Sequence, residues 1–124
     1  MPHIVLEYSD NLPDPVDFQA LFAQLHAALV NLGDVHLNEI KSRAIKCHDW
    51  RVGDGHPRHG FAHLKLYLLD RRKTEFKRRA LAAMKPILAA HYPRSLIGLE
   101  FQLCLEIIDI RSDAYDKLVS SVSH

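Results

Sequence analysis

Pro2, Lys41, Arg43 and Arg72 are the residues whose types and placement could do chemistry. Pro2 follows the initiator and leads at once into Ile4-Val5-Leu6, an apolar run that reads as a β-strand. Met1 is expected to be clipped ahead of proline, leaving a secondary amine at the start of that strand. An α-amine titrates at about 7.7–8.0, nearer neutrality than a lysine. A modest downward shift makes it a neutral base at cellular pH, and a strand aims it rigidly, as a general base requires. Lys41 and Arg43 stand two apart in a second predicted strand, so they project from the same side. Arg72 follows Asp70, where a third strand gives way to a helix, a position suited to clamping an anion. Taken singly, each cation is explained by a solvated edge strand or loop. Together with Pro2 they form a base set among anion-binding groups.

Composition narrows the classes. A chain of 124 residues, 48% hydrophobic and 25% charged, fits one globular domain, residues 1–124. A net charge of +1 provides no field to draw nucleic acid or an anionic membrane. The apolar runs fall short of the roughly 18 residues that span a bilayer, and the opening residues lack a signal-peptide pattern. Cys47 and Cys104 both fall in predicted strands and read as reduced thiols. These features together predict a cytoplasmic protein.

The elements that must position these groups come in two copies. Pro2-His3-Ile4-Val5-Leu6 laid over Ala62-His63-Leu64-Lys65-Leu66 sets an offset of 60 residues, and Asp10 then falls on Asp70. The repeat covers roughly 2–50 and 61–110, and each copy reads as strand, helix, strand. For the first helix, Asp14 is the predicted N-cap, Pro15 the first helical residue and Gly33 a left-handed terminator. Phe18, Leu21, Phe22, Leu25, Ala28 and Leu29 give its buried stripe. The second helix starts near Thr74. Pro86 is expected to kink or shorten it, and Pro93 to close it.

Closing strands are predicted at about 38–48 and 97–109, the second alternating through Leu99, Phe101, Leu103, Leu105 and Ile107. The same offset sets Lys41 against Phe101 and Arg43 against Leu103. Each strand–helix–strand unit makes a parallel pair. The fold class is therefore α+β: a duplicated β-α-β unit forming a four-stranded mixed sheet with two helices on one face. The other face needs a cover, which predicts a homo-oligomer. Residues 111–124 form a short amphipathic tail that either caps a neighbouring subunit or frays.

The chain resembles the tautomerase superfamily, whose base is an amino-terminal proline, and within it the 5-carboxymethyl-2-hydroxymuconate isomerase family. The likeness spans nearly the whole chain. Met1-Pro2-His3 with Ser9-Asp10-Asn11 resembles that family's opening, and Lys41-Ser42-Arg43 its Arg-Ser-Arg segment. Asp54-Gly55, Phe61 and His63 recur in the middle, and Arg72 matches a functional arginine. The resemblance implies a homotrimer of duplicated subunits with no metal and no organic cofactor, Pro2 as catalytic base, and Lys41, Arg43 and Arg72 binding substrate. It implies keto–enol tautomerisation of an unsaturated 2-hydroxy or 2-oxo dicarboxylate in homoprotocatechuate breakdown, a branch of aromatic catabolism. Position 41 departs from the family, where arginine is usual. Lysine keeps the charge but lacks the planar bidentate fork.

Three other readings compete. A non-catalytic tautomerase-fold protein would act as a binding or scaffolding module, since a fold hosts functions without dictating them. A β-α-β-β-α-β order also serves RNA binding, but the predicted central strands offer only Tyr8, Phe61 and Tyr67 for base stacking. His48, His56 and His59 lie around a Gly/Pro-rich loop without the ligand spacing of a zinc site.

Overall fold

A computed structural model describes residues 1–121. In chain order the elements are β1 (His3–Ser9), α1 (Phe18–Leu32), a 3₁₀ turn at Leu37–Glu39, β2 (Lys41–Cys47), β3 (His59–Leu69), α2 (Thr74–Ala90), α3 (Pro93–Gly98) and β4 (Glu100–Ile110). A second 3₁₀ turn, Ser112–Ala114, opens the tail. The four strands form one mixed sheet in the order β2-β1-β3-β4. β1 runs parallel to β2 and β3 parallel to β4, while β1 and β3 meet antiparallel at the centre. This is the duplicated architecture that the alternating patterns predict.

The alternation decides which face is buried. Ile4, Leu6, Ala62, Leu64, Leu66 and Leu68 turn toward the helices and are almost wholly shielded from solvent. Leu21, Leu25 and Leu29 of α1 and Ala80, Met84 and Leu88 of α2 meet them there. Each large aliphatic side chain buried this way contributes about 1.5–3 kcal/mol. The opposite face is polar at its centre, with Lys65 paired to Glu7 at 2.6 Å and His63 to Glu106 at 2.8 Å. Cys47 and Cys104 are free thiols on the two edge strands, with two strands between them.

Several local expectations are overturned. α1 starts at Phe18, capped by Asp17, whose side chain accepts from the Ala20 amide at 3.1 Å. Asp14 instead reaches across the fold to cap α3. Its carboxylate accepts from the Arg94 and Ser95 amides at 2.7 and 3.1 Å and from the Ser95 hydroxyl. α2 runs unbroken through Pro86, because Met84 and Leu88 on either side of it are both fixed in the core. Pro93 occupies the first turn of α3, where its missing N–H costs nothing. Gly33 does end α1, but with an extended ψ (φ 97°, ψ 155°), and the left-handed residue is Asp34 at φ 56°.

The extra helix also changes the register between the two copies. His3 pairs with Lys41, whereas His63 pairs with Cys104, so Lys41 answers to Cys104 and Arg43 to Glu106. Phe101 and Leu103, three positions earlier, point into the core. The tail predicted over 111–124 crosses its own sheet end as far as Lys117. Leu118 and Val119 are exposed, and 122–124 lie outside the described residues. Asp14→Ala is expected to lower stability by about 1 kcal/mol through loss of the α3 cap. Denaturant unfolding checks this, with the midpoint falling.

Candidate active site

Because β1 and β3 are antiparallel, the amino end of β1 lies beside the carboxyl end of β3, His3 facing Tyr67. Pro2 and Arg72 are thereby brought to one end of the sheet. They share a cleft of about 140 Å³ with Arg71, Asp34, His36 and Glu39. Pro2 is buried, and its carbonyl accepts from the Lys41 amide at 3.0 Å, which fixes the terminus to the start of β2. The turn after α1 positions the arginine, since the Asp34 carbonyl accepts from Arg72 Nη2 at 2.5 Å. The guanidinium also lies 4.5 Å above the Phe76 ring. Burial and neighbouring Arg71 lower the Arg72 pKa, with Asp34 opposing them.

An open groove of about 620 Å³ continues from this cleft, with Arg71, Arg72, Lys73 and Arg79 along it and Asp34 and Glu75 as the acidic members. Four cations against two carboxylates give it a net positive lining, which favours anions. Lys41 and Arg43 stand elsewhere. Their register with His3 and Val5 sets both on the sheet face away from the helices. Lys41 Nζ donates to the Glu39 carbonyl at 2.5 Å, which holds it at the rim of the cleft. Arg43 Nη1 donates to His3 Nδ1 at 3.4 Å and does not line the cleft.

His3 was not foreseen as a site residue. With Nδ1 accepting from Arg43, its Nε2 carries the proton and donates to the Tyr115 hydroxyl at 3.1 Å. Burial first, then Lys41 and Arg43, lower its pKa, which favours the neutral ring. Glu39 was also missed. In the chain with Met1 present, the Met1 ammonium lies 2.9 Å from Glu39 Oε2. Burial lowers the pKa of that amine, Glu39 opposes the shift, and Lys41 and Lys117 add to it. The sequence signal for Glu39 was its position two residues ahead of Lys41, at the strand end facing Pro2. For Tyr115 and Lys117 no signal existed, because only the fold shows where the tail goes.

The family model for 5-carboxymethyl-2-hydroxymuconate isomerase matches residues 2–120. This chain belongs to the 5-carboxymethyl-2-hydroxymuconate isomerase family. The 5-carboxymethyl-2-hydroxymuconate Delta-isomerase of Escherichia coli is 27% identical over 107 residues, covering 83% of this chain and 85% of that protein. A solved structure of a 5-carboxymethyl-2-hydroxymuconate isomerase from Deinococcus radiodurans R1 is 27% identical, with a TM-score of 0.87 over 96% of this chain and 90% of that one. The fold extends further, to a fused 4-OT symmetric trimer at TM-score 0.63 and 17% identity, covering 86% of this chain and 85% of that one.

Membership makes the chain an isomerase with a tautomerase-like fold, and it turns attention to what each group at the sheet end can do in a proton shift. Within this isomerase, Arg72 retains free N–H donors beyond the one given to Asp34, so it can still bind a carboxylate. The histidines of the middle loop are occupied by local contacts: His48 lies 3.2 Å from Asp10, and His59 lies 2.9 Å from Asp54.

Proposed function

We propose that this isomerase tautomerises an unsaturated 2-hydroxy or 2-oxo dicarboxylate such as 5-carboxymethyl-2-hydroxymuconate, in the breakdown of homoprotocatechuate in the cytoplasm. The observation that carries this reading is the shared cleft of Pro2 and Arg72 at the head of a cationic groove. Removal of Met1 converts the Pro2 nitrogen from an amide into a secondary amine. That amine takes the proton of the substrate 2-hydroxyl, the double bonds shift along the chain, and the same proton is delivered to the far carbon. The reverse sense abstracts from carbon and returns the proton to oxygen. A single base suffices because the proton stays on one face of a short conjugated system.

The base must be neutral to act. At an ordinary pKa near 8, only about a tenth of an α-amine is neutral at pH 7. Burial of the terminus and the adjacent cations both disfavour the ammonium form. Arg72 binds one substrate carboxylate and stabilises the dienolate charge as it develops. Lys41 and Arg43, on the open sheet face, serve the second carboxylate where subunits of a homotrimer meet, with Lys41 giving a point charge in place of a bidentate fork. The trimer covers that face, and the symmetric trimer among the fold relatives supports this assembly.

The pH profile tests the proposal. A group that acts deprotonated loses activity as pH falls through its pKa, so kcat/KM should drop on the acid side with one titrating base. The midpoint is expected below the ordinary α-amine value of about 8. A flat profile across neutrality would remove an amine base from the mechanism.

A further inference from the structure

The tautomerisation assigned above uses neither Glu39 nor Lys117, yet both stand at the terminus that must change state for it to begin. With Met1 in place, its ammonium lies 2.9 Å from Glu39 Oε2 and 3.3 Å from the Glu39 carbonyl. The other carboxylate oxygen, Oε1, lies 3.8 Å from Lys117 Nζ. Lys117 belongs to the tail, which reaches this point by crossing the end of the sheet. The Ser112 amide donates to Asp70 at 3.4 Å, and Tyr115 holds the His3 ring at 3.1 Å. The tail is therefore tied to both central strands before it delivers Lys117.

Loss of Met1 takes the ammonium away from Oε2. The amine that replaces it, on Pro2, forms beside the same carboxylate, for Glu39 and Pro2 line one cleft. A carboxylate left without a partner there favours the protonated amine, the opposite of what a base needs. We propose that Lys117 is a positioning residue for the proton shift, drawing the Glu39 carboxylate into an ion pair with the tail so that it does not pair with the ammonium form of Pro2. This rests on the assignment of Pro2 as base.

The other charged neighbours do not replace Lys117. In β2, Lys41 spends a donor on the Glu39 backbone carbonyl, leaving the carboxylate oxygens to Met1 and Lys117. Arg43 is turned to His3 within the outer face. After β3, Arg72 is held by Asp34, and Arg71 lines the same wall of the cleft. Asp34 and His36, from the turn after α1, are the other titratable side chains of the cleft. Asp34 is a second carboxylate and cannot replace a cation, and His36 draws the Glu39 pKa down more weakly than Lys117 does.

The test reads the terminal amine directly. Processed enzyme is treated with trace acetic anhydride, a neutral reagent that acylates only unprotonated amines. The rate of labelling at Pro2 is followed by peptide mass across pH. K117Q should raise the labelling midpoint by about half a unit, the size produced by one partly exposed ion pair. E39Q should lower it, and K117Q added to E39Q should produce a clearly smaller rise, because only the direct repulsion between Lys117 and the amine then remains to be lost. An unchanged midpoint in K117Q, or an equal rise in the E39Q background, overturns the inference while leaving Pro2 as base. An active enzyme whose Pro2 takes no label at any pH overturns the base assignment, and this inference with it.

Discussion

Isomerase prepared with methionine aminopeptidase inhibited, so that Met1 stays attached, is expected to work about 10²–10⁴-fold more slowly than the processed enzyme, the range a positioned general base contributes. The cause lies in one nitrogen. While Met1 is attached, the Pro2 nitrogen is an amide whose lone pair is delocalised into the carbonyl, and the free amine sits one residue away, ion-paired with Glu39 at 2.9 Å. That displaced amine is mis-aimed for the proton shift. Trimming Met1 with an aminopeptidase should restore the rate in step with the loss of a methionine from the intact mass. Equal turnover by the two forms would exclude Pro2 as the base.

Arg72→Ala should raise KM for a dicarboxylate by about 10–100-fold, the equivalent of one charge-assisted hydrogen-bonding group at about 1.5–3 kcal/mol. The guanidinium is fixed from behind by the Asp34 carbonyl and from one face by Phe76. It needs little ordering to accept a carboxylate, so its removal costs binding directly. The effect on kcat should be smaller, limited to whatever dienolate charge Arg72 would stabilise under the proposed mechanism. Arg72→Lys should recover only part of the loss, because an ammonium cannot reproduce the planar fork. Steady-state kinetics with a dicarboxylate and its monocarboxylate analogue separate these terms. A KM that does not move for the dicarboxylate would take Arg72 out of the binding site.

Much of this architecture was legible because period and burial agree. The alternation Ala62, Leu64, Leu66, Leu68 against Phe61, His63, Lys65, Tyr67 admits only a strand with one face in the core. The offset of 60 also holds at the strand ends, where Asp10 and Asp70 each follow the last residues of β1 and β3. Arg72 could be placed at a strand's carboxyl end from the pattern, while its approach to Pro2 follows from the antiparallel pairing of β1 with β3. What failed depended on contacts distant in sequence. Asp14 has the look of a local cap, but a carboxylate joins whichever amides the fold presents, and the fold presents those of α3.

The closing strands show the same limit. Pro93 reads as a stop and is in fact the start of a helix, and the residues of that helix shift the register of β4 by three. The supposed contrast of Lys41 and Arg43 with Phe101 and Leu103 was therefore a comparison across opposite faces of the sheet. The cations still share a face, as their spacing required. Their separation from the Pro2 cleft could not be read from spacing, since it depends on which face of β1 the proline turns to the helices. Glu39 and Lys117 became visible only when the tail was seen to cross the sheet end.

The most direct measurement is the titration of the Pro2 nitrogen itself, by NMR on processed enzyme labelled with ¹⁵N-proline, set beside the acid limb of kcat/KM. The account predicts one amine titrating below about 8 with a midpoint that coincides with the kinetic one. A Pro2 nitrogen that stays protonated through the pH range of full activity would contradict it.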